Sequence, residues 1–404
     1  MAALRKPHPR LLTQRLLLAA RDFPVVTVTG PRQSGKSTLC RMAFPKKPYV
    51  NLEALDERAF ATRDPRAFLA QFPHGAILDE IQRTPDLTTY LQVDVDEVRK
   101  AGRWILSGSQ HGLLTGAVSQ SLAGRNALLE LLPLCVTEQA NFPHRGKTLW
   151  DYVVRGGFPA IAAKPVDPSA WLLNYVVTYL ERDVRDIRAI SDFSAFRTFL
   201  RLAAGRTAHL LNLATLGADA GVSQPTAKSW ISVLEATYAI TRIQPFFVNI
   251  RKRLVKSPKL HFIDTGLACA LLGIHDAKTL DAHPSRGPLF ESFIASECLK
   301  LIQAYAPTAT LGYYRDQHGE EADLVVQLAN RTLVIEVKSG TTIASDWDRR
   351  LQAIARRLGE GGLPDPTCVV IYGGTNERTI DGTRYLPWNA VHMLFEKRTA
   401  RTRK

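Results

Sequence analysis

The first third of the chain alternates strand-length apolar runs with segments of helical character. The apolar runs lie at 25–28, 49–53, 75–82, 103–110 and 128–134. The helical segments lie at 11–22, from about residue 54 to 71, and at 87–99. Strands that alternate with helices form a parallel sheet whose ligands bind at the carboxyl ends of the strands. The pattern predicts an α/β domain over residues 1–150.

Beyond about Asp151 the pattern becomes mainly helical. A long helical run covers 171–190, and the segments 213–221 and 222–235 are typical of a helix-turn-helix. Gly221 ends the first helix, Ser223 caps the second, and Pro225 lies in its first turn. The basic segment 249–259 fits a wing. We therefore predict a helical and winged helix-turn-helix domain at 151–258.

The last third predicts a second α/β domain at 259–396. It contains a helix at 289–302, strands at 321–328 and 333–338, a further helix at 347–358 and a strand at 367–372. Alternate residues of a strand share a face, so Ala322, Leu324 and Val326 should lie opposite Asp323. Glu336 and Lys338 should share one face. The basic tail, 397–404, is predicted to be disordered.

A glycine loop follows the first apolar run and leads into a helix. Its spacing, a glycine, four residues, then Gly-Lys-Ser, is that of a phosphate-binding loop. Glycines let backbone N–H groups surround phosphates, the lysine reaches the β- and γ-phosphates, and the serine hydroxyl ligates Mg²⁺. The predicted nucleotide-binding residues are Gly30, Pro31, Arg32, Gln33, Ser34, Gly35, Lys36, Ser37 and Thr38. The chain is therefore predicted to bind a nucleoside triphosphate.

Polar residues at the ends of later strands complete a candidate hydrolytic site. Asp79 is expected to hold Mg²⁺ beside Ser37, and Glu80 to polarise the attacking water. Ser109 is a candidate contact to the γ-phosphate or to that water, although a polar exit from a strand explains it equally well. Arg125 is a candidate arginine finger, acting within its own subunit or on a neighbouring one, and the alternative is a salt-bridged arginine at a helix end.

The last domain carries a second candidate metal site. Asp323 and Glu336, with help from Glu291, are predicted to bind Mg²⁺ or Mn²⁺, and Lys338 to hold or activate water for phosphodiester hydrolysis. A short Glu-x-Lys motif alone is uninformative. The combination of a helix Glu, a strand Asp and a strand Glu-x-Lys is more specific, and the alternative is a charged sheet edge.

The net charge and the composition of the chain limit the classes of partner that it is expected to bind. The 404-residue chain has a formal net charge of +14, which favours polyanionic partners, nucleic acid first. Five scattered cysteines without a CxxC pair indicate reduced thiols, and the lack of a signal peptide or a membrane-length apolar stretch indicates a cytoplasmic protein without a membrane partner. The predicted DNA contacts are Lys228, Arg251, Lys252, Arg253 and Lys256. Packing or protein contact is the alternative role for this segment.

The ordered motifs GPRQSGKST, LDEIQ, LSGSQ, SLAGR, RGGFP, KSPKLHFIDTGLA, LFESF, EADLVV and VIEVKSG cover nearly the whole chain. With them the chain resembles prokaryotic AAA+ superfamily ATPases that carry a C-terminal domain of unknown function. The resemblance implies ATP and Mg²⁺ as cofactors, with Lys36, Asp79 and Glu80 binding and hydrolysing ATP. It also implies a C-terminal domain similar to the PD-(D/E)xK restriction-endonuclease-like fold, and a homo-oligomer, by analogy a hexamer.

Two functional hypotheses follow. In the first, a DNA-associated ATPase couples ATP turnover to DNA binding or remodelling, with a possible metal-dependent nuclease domain. In the second, the ATPase is a regulatory switch, and the C-terminal domain is a catalytically dead scaffold that binds DNA or protein. A protein-remodelling or membrane-surface ATPase is a third, weaker hypothesis.

Overall fold

A computed structural model describes residues 8–109, 121–181, 192–246, 257–344 and 347–396. These residues form two compact units. The first comprises the chain up to Leu134 together with Phe158–Ala160 and Ala236–Tyr238. The second comprises Cys135–Gly157, Ile161–Glu235 and the chain from Ala239 onward. The domain boundaries predicted near residues 150 and 258 stay a prediction.

The first unit is built on a five-stranded, entirely parallel sheet with the order β2-β3-β4-β1-β5. Its strands are β1 (Val25–Thr29), β2 (Tyr49–Asn51), β3 (Ile77–Asp79), β4 (Trp104–Ser107) and β5 (Asn126–Glu130). Its helices are α1 (Thr13–Asp22), α2 (Lys36–Ala43), α3 (Leu55–Arg63), α4 (Pro65–Ala70) and α5 (Leu87–Val98), with a 3₁₀ turn at Ile81–Arg83.

The three central strands, β3, β4 and β1, are buried at every position and therefore covered on both faces, which explains why they are continuous apolar runs. Neighbouring residues of a strand belong to opposite cores. Leu78 and Leu106 pack with Phe68 on one side of the sheet. Ile77 and Ile105 pack on the other side, in the cluster that also contains residues of α1 and α2. The α/β fold predicted for this part of the chain is confirmed.

A winged helix lies in the second unit. It is preceded by α6 (Val136–Gln139), α7 (Leu149–Arg155), α8 (Pro159–Ala163), α9 (Pro168–Tyr175) and a π-helical turn, Val176–Leu180. The module itself runs α10 (Phe193–Gly205), β6 (His209–Leu210), α11 (Leu213–Asp219), α12 (Gln224–Ala236), β7 (Ile240–Ile243) and β8 (Lys259–Phe262). Its sheet has the order β6-β8-β7 and is antiparallel throughout.

The predicted turn chemistry between α11 and α12 is confirmed. Gly221 has a φ of +71°, which a glycine adopts without strain. The Ser223 hydroxyl accepts a hydrogen bond from the Thr226 N–H at 3.3 Å, as a helix cap does. Trp230 of α12 packs edge-on against Phe196 and Phe199 of α10, so one face of α12 is anchored in the module's core.

The C-terminal part of the second unit is a six-stranded sheet with helices. Its helices are α13 (Thr265–Leu271), α14 (Ala277–Asp281), α15 (Arg286–Tyr305) and α16 (Arg349–Glu360), and a 3₁₀ segment covers Trp388–Leu394. Its strands are β9 (Thr310–Arg315), β10 (Glu321–Gln327), β11 (Thr332–Lys338), β12 (Pro366–Tyr372), β13 (Arg378–Ile380) and β14 (Thr383–Pro387). The order is β13-β14-β12-β11-β10-β9, antiparallel from β9 to β11 and parallel from β11 through β12 to β14.

The face prediction for β10 is wrong at one position. The pairing of β10 with β9 shifts register between Ala322 and Val325, and Ala322 packs in the same cluster as Val325. An irregularity of this kind inserts residues into one strand and changes which side chains share a face. Leu324 and Val325 are both fully buried, so this strand is covered on both sides.

Two quoted motifs meet at a buried carboxylate. Asp264 caps α13 by accepting the Leu267 N–H at 3.1 Å, and it also accepts the Gly157 N–H at 2.7 Å. At Gly156, φ is +68° and a Cβ would lie 2.0 Å from the Asp264 Oδ1. Gly156 and Gly157 of the RGGFP motif and Asp264 of the KSPKLHFIDTGLA motif therefore have a packing role within this unit.

Candidate functional site

The phosphate-binding loop has the backbone that its glycines predict. Gly30 has a φ of +144°, and a Cβ there would lie 2.2 Å from the Leu131 carbonyl oxygen. Gly35, just before α2, has a φ of +95°. Lys36 is buried, and its Nζ donates to the carbonyl oxygens of Gly30 at 3.0 Å and Pro31 at 2.8 Å. The Ser34 hydroxyl is buried without a hydrogen-bond partner among the described residues. A backbone cradle with an ammonium and an orphaned hydroxyl fits a bound triphosphate.

Arg10 supports this loop, and sequence reasoning missed it. Its Nη1 donates to the Ser34 carbonyl oxygen and its Nη2 to the Leu132 carbonyl oxygen, both at 2.7 Å. A single guanidinium thus joins the loop to the segment after β5. Arg10 belongs to no motif and lies 20 positions before the first glycine of the loop, so its sequence context carried no signal.

The two predicted magnesium ligands converge. Asp79, at the end of β3, accepts hydrogen bonds from the Tyr49 hydroxyl at 2.6 Å and from the Ser107 hydroxyl. The pKa of Tyr49 is raised, first by burial and then by its hydrogen bond to Asp79, while a hydrogen bond to Ser37 lowers it. The Tyr49 hydroxyl therefore lies near Ser37 while it is hydrogen-bonded to Asp79. A hydroxyl and a carboxylate at one point are oxygen ligands of the kind Mg²⁺ prefers.

The thiol of Cys40 lies close to both Lys36 and Asp79. Its pKa is raised to about 12, mainly by burial and further by the charge of Asp79, while Lys36 lowers it. Both charges therefore act on one thiol beneath the loop. All five cysteines of the chain are buried and none is in a disulfide bond.

Glu80 and Ser109 also come together. Strand β4 lies between β1 and β3, so the residues that follow β4 lie between the loop and Asp79. The Gln82 side-chain N–H donates to the Glu80 carboxylate and, at 3.3 Å, to the Ser109 hydroxyl. The Ser109 hydroxyl is 3.4 Å from the same carboxylate oxygen. Glu80 itself has a φ of +57°, an uncommon conformation for a non-glycine residue and one enriched at functional sites.

Arg125 is engaged within its own domain. Its Nε and Nη2 donate to the two carboxylate oxygens of Asp96 at 2.5 and 2.8 Å. The hydrogen bond from Arg125 lowers the pKa of Asp96. Both side chains are substantially exposed. This geometry matches the salt-bridge alternative, and an arginine-finger role stays a prediction.

A tyrosine that follows the winged helix contacts the strand before the loop. The Tyr238 hydroxyl donates to the Thr29 Oγ1 at 2.8 Å, and both residues belong to the first unit. Burial raises the pKa of Tyr238, and the charge of Glu130 raises it further. Tyr238 has a φ of +60° and is nearly fully buried. Nothing in the local sequence distinguishes this tyrosine.

In the C-terminal sheet domain, the predicted acidic residues gather around a lysine that sequence reasoning missed. The Lys259 Nζ, on β8, lies 2.8 Å from Glu291, 2.5 Å from Glu321 and 3.9 Å from Asp323. The side chain of Lys259 is 4% exposed. Burial by itself lowers the pKa of Lys259, but the three carboxylates raise it well above its ordinary value.

The other two predicted residues complete this acidic cluster. The Lys338 Nζ pairs with Glu336 at 2.5 Å, and the second oxygen of Asp323 accepts the Val337 N–H at 2.7 Å. Burial, and next the charge of Asp323, raise the pKa of Glu291 to about 8 and that of Glu336 to about 7. The four predicted residues are thus neighbours.

This acidic cluster does not fit a metal ion as it stands. Lys259 occupies the position between Glu291, Glu321 and Asp323 that a cation requires, and Lys338 already pairs with Glu336. Among the described residues, no group of three His, Cys, Asp or Glu side chains is placed to hold a metal ion. The predicted Mg²⁺ or Mn²⁺ site at Glu291, Asp323 and Glu336 therefore stays a prediction.

Of the predicted DNA contacts, Lys228 is exposed on α12. Arg251, Lys252, Arg253 and Lys256 lie outside the described residues, as does the basic tail 397–404. Within the part of the chain that the structure describes, no helix has the length and apolar character needed to span a membrane.

Comparison with known protein families identifies three matching regions of the chain. Residues 22–140 match the AAA domain family, residues 146–278 a domain of unknown function (DUF8612), and residues 286–391 another domain of unknown function (DUF4143). The AAA match contains the phosphate-binding loop, Asp79, Glu80 and Ser109. The C-terminal match spans Glu291, Asp323, Glu336 and Lys338, and its description names no activity.

Relatives that align with most of the chain are also found. The uncharacterized protein Rv2008c of Mycobacterium tuberculosis is 35% identical over 332 residues, which span 81% of this chain and 73% of that protein. The uncharacterized protein Mb2031c of Mycobacterium bovis matches with the same figures. Among solved structures, the Walker-type ATPase PABY2304 of Pyrococcus abyssi is similar with a TM-score of 0.40 and 14% identity, over 66% of this chain and 98% of that one. That TM-score is too low to establish a shared fold. The chain belongs to the same family as the two mycobacterial proteins, and its first domain is a P-loop ATPase domain of the AAA type.

Proposed function

We propose that this ATPase acts on DNA, with the winged helix as its DNA-binding element. The observation that carries the proposal is the winged helix itself, with Lys228 exposed on its second helix-turn-helix helix, in a chain of net charge +14. Proteins with this module place that helix in the major groove and use basic residues on phosphates. The basic segment 251–256 follows in sequence and adds Arg251, Lys252, Arg253 and Lys256 to the proposed contacts.

The proposed roles at the ATP site follow from its geometry. Loop N–H groups and Lys36 hold the phosphates, and Lys36 exchanges its bonds to the Gly30 and Pro31 carbonyls for bonds to phosphate oxygens. Ser37 and Asp79 would hold Mg²⁺, which would supply positive charge beside the β- and γ-phosphates. Glu80 orients the attacking water as a general base, fixed by Gln82, and Ser109 contacts the water or the γ-phosphate.

We further propose a homo-oligomer, in which Arg125 exchanges Asp96 for the nucleotide of a neighbouring subunit. The number of subunits is expected from analogy to be six. Mixing Arg125→Ala subunits with Lys36→Ala subunits tests this directly. Recovery of ATP turnover in the mixture supports action in trans, and two inactive preparations that stay inactive when mixed contradict it.

The test of DNA binding compares the full chain with Lys228→Glu at several salt concentrations. A phosphate contact contributes about one unit to the slope of log affinity against log salt. We expect Lys228→Glu to weaken binding about 10-fold and to reduce that slope. The matched control is Lys278→Glu, which changes an equally exposed lysine on α14. Equal affinity for wild type and Lys228→Glu, with an unchanged slope, contradicts the proposed interface.

A second candidate function rests on Lys259. An ammonium held by three carboxylates favours the regulatory switch, in which the C-terminal domain binds DNA or protein without cutting. The order of its elements, α15 followed by β9, β10, β11, α16 and β12, is compatible with the nuclease-like scaffold that the sequence suggested. A nuclease assay with Mg²⁺ and with Mn²⁺ separates the two functions. Cleavage that Asp323→Ala removes supports the nuclease, and intact DNA with retained binding supports the scaffold.

A further inference from the structure

A cavity of about 670 Å³ lies in the second unit, away from the acidic cluster and the winged helix. One wall comes from the segment between Val136 and Tyr152, and the other from Trp388, Asn389 and His392 of the 3₁₀ segment. This volume falls within the range of small-molecule sites. The cavity belongs to none of the functions described so far.

The charged side chains that line this cavity, Arg145 and Lys147, are both basic. Arg145 and Lys147 are exposed at its edge, and His392 is part of its wall. Arg145 uses one nitrogen on the Ala140 carbonyl at 3.2 Å, which leaves most of its five N–H donors available. Among the described residues, Lys147 has no ion-pair partner. The cavity therefore attracts an anion.

The nearby carboxylates are committed elsewhere. Glu297 pairs with Lys300 at 3.0 Å and accepts the Val136 N–H at 2.8 Å. Asp151 caps α7 by accepting the backbone N–H groups of Lys147 and Thr148. Neither residue is part of the cavity lining. The basic groups thus keep their charge for a ligand.

One polar atom of the wall is buried without a hydrogen-bond partner in the described structure. It is the Nδ1 of His392. Tyr152, whose ring also lines the cavity, is 7% exposed. Burial raises the pKa of Tyr152, while the charge of Arg145 lowers it, so Arg145 lies near the Tyr152 hydroxyl. A buried polar atom without a partner costs free energy that a ligand atom recovers.

The aromatic wall is rigid and shaped by a glycine. The Trp388 ring packs against the rings of Tyr152 at 5.2 Å and Phe293 at 6.2 Å. A Cβ on Gly146 would lie 2.7 Å from the Tyr152 ring and 2.8 Å from the Tyr152 backbone nitrogen. Only a residue without a side chain fits there. The apolar side of the cavity is therefore held in place before any ligand arrives.

We propose that this cavity binds a nucleoside phosphate, with the phosphate on Arg145 and Lys147 and the planar base beside Tyr152 and Trp388. The basic side chains at the rim would bind the phosphate, and the aromatic rings of the wall would stack on the base. The volume of the cavity is that of a single nucleotide unit. The same chemistry is offered by a free mononucleotide and by the 5′-phosphorylated end of a DNA strand. The proposal does not depend on coupling between ATP turnover and DNA.

The experiment uses the full chain with Lys36→Ala, so that nucleotide binding at the ATP site does not contribute to the measured heat. Isothermal titration calorimetry measures binding of the four free nucleoside monophosphates and of a short single-stranded oligonucleotide with or without a 5′-phosphate. We expect one of these phosphate-bearing probes to bind. We expect Arg145→Gln or Lys147→Gln to weaken that binding about 10-fold or more, since each removes a charge-assisted contact. Lys164→Gln, at another exposed lysine of the same unit, should leave it unchanged.

Each outcome is decisive. Binding of a free mononucleotide that depends on Arg145 and Lys147 supports the site and identifies a soluble ligand. Binding of the 5′-phosphorylated strand alone supports it and identifies a strand end. Absence of binding for all probes at millimolar concentration overturns the proposal, as does affinity that neither variant changes. Both exposed substitutions spare the core, so a melting temperature within a few degrees of the parent is expected.

Discussion

Tyr238 and Thr29 are joined by a hydrogen bond of 2.8 Å. Thr29 ends β1 and directly precedes the first glycine of the phosphate-binding loop, while Tyr238 follows the winged helix's α12 by two residues. The backbone of Tyr238 is in the left-handed region and its side chain is buried, so the surrounding structure fixes the position of this tyrosine. The segment that leaves α12 is thus tied to β1, and we expect this bond to carry part of the effect of DNA on ATP turnover.

The first prediction is that Tyr238→Phe uncouples the two activities. The change removes one hydroxyl and keeps the ring, at a cost of about 1 kcal/mol, typical of one neutral hydrogen bond. We expect basal ATP turnover to stay within about twofold of wild type and stimulation by DNA to fall about fivefold. Steady-state turnover with and without DNA measures both. Tyr90→Phe, in the same unit, is the control, and undiminished stimulation in Tyr238→Phe removes this bond from the coupling route.

The second prediction concerns Glu80. Glu80→Gln removes the general base and preserves the contact to Gln82 geometrically, so nucleotide affinity should change little while hydrolysis falls about 100-fold or more. Nucleotide binding by calorimetry and phosphate release separate the two effects. Glu53→Gln, which alters an exposed carboxylate paired with Arg83, should have nearly normal turnover. Normal turnover in Glu80→Gln itself would mean that another residue orients the water.

The third prediction concerns Lys259. In the absence of nucleotide, excess Mg²⁺ or Mn²⁺ should leave the melting temperature of the wild-type protein unchanged, because Lys259 already neutralises the acidic cluster. Lys259→Met should lose about 3–5 kcal/mol of stability, since it leaves buried carboxylates uncompensated. Added Mn²⁺ should then restore part of that loss. Thermal unfolding with metal or with chelator measures these effects.

Lys338→Met is the matched control, because it removes a lysine from the same acidic cluster but leaves Lys259 in place. Its melting temperature should remain insensitive to metal. A wild-type protein that Mn²⁺ stabilises by several degrees, with no added effect in Lys259→Met, is incompatible with Lys259 as the resident cation.

The fourth prediction is a pH dependence of stability between pH 6.5 and 8. Glu336, with its pKa near 7, and Glu291, with its pKa near 8, stay partly protonated in the folded state, while unfolded glutamates are already ionised. The folded state therefore binds more protons, and its stability falls as pH rises, by up to about 1.4 kcal/mol per pH unit for each group. His261, whose pKa burial lowers to about 3, acts in the opposite direction only below about pH 6.5.

Urea unfolding at pH 6.5, 7.2 and 8 measures this slope. Glu291→Gln should flatten it, because an amide does not titrate. If Glu291→Gln retains the full wild-type pH dependence of stability, the titration of Glu291 is not its cause.

The elements that were predicted correctly are those determined by residues close together in the sequence. The strand, glycine loop and helix around Lys36 form as expected, because turn chemistry and apolar runs act over a few residues. The strands that carry Asp323 and Glu336 also form, and pair with each other, as expected. The Ala322 face was wrong because a register shift cannot be seen in an apolar pattern.

The residues that sequence reasoning missed come from distant parts of the chain. Arg10, Tyr49 and Tyr238 reach the ATP site through tertiary packing, and Lys259 enters the acidic cluster from a four-residue strand of the winged helix. Each is a common residue type in an unremarkable local context. Contacts of this kind depend on which elements pack together, and neither spacing nor composition specifies that.

The most direct test of the central claim is steady-state ATP turnover alone and with single-stranded, duplex and branched DNA. Lys36→Ala is the control for contaminating activity, and Lys228→Glu is the control for the winged-helix contact. The account predicts that one DNA form stimulates turnover several-fold and that Lys228→Glu weakens this stimulation. Robust turnover that no DNA form alters, together with absent DNA binding, would contradict a DNA-acting ATPase and leave a switch or protein-remodelling role.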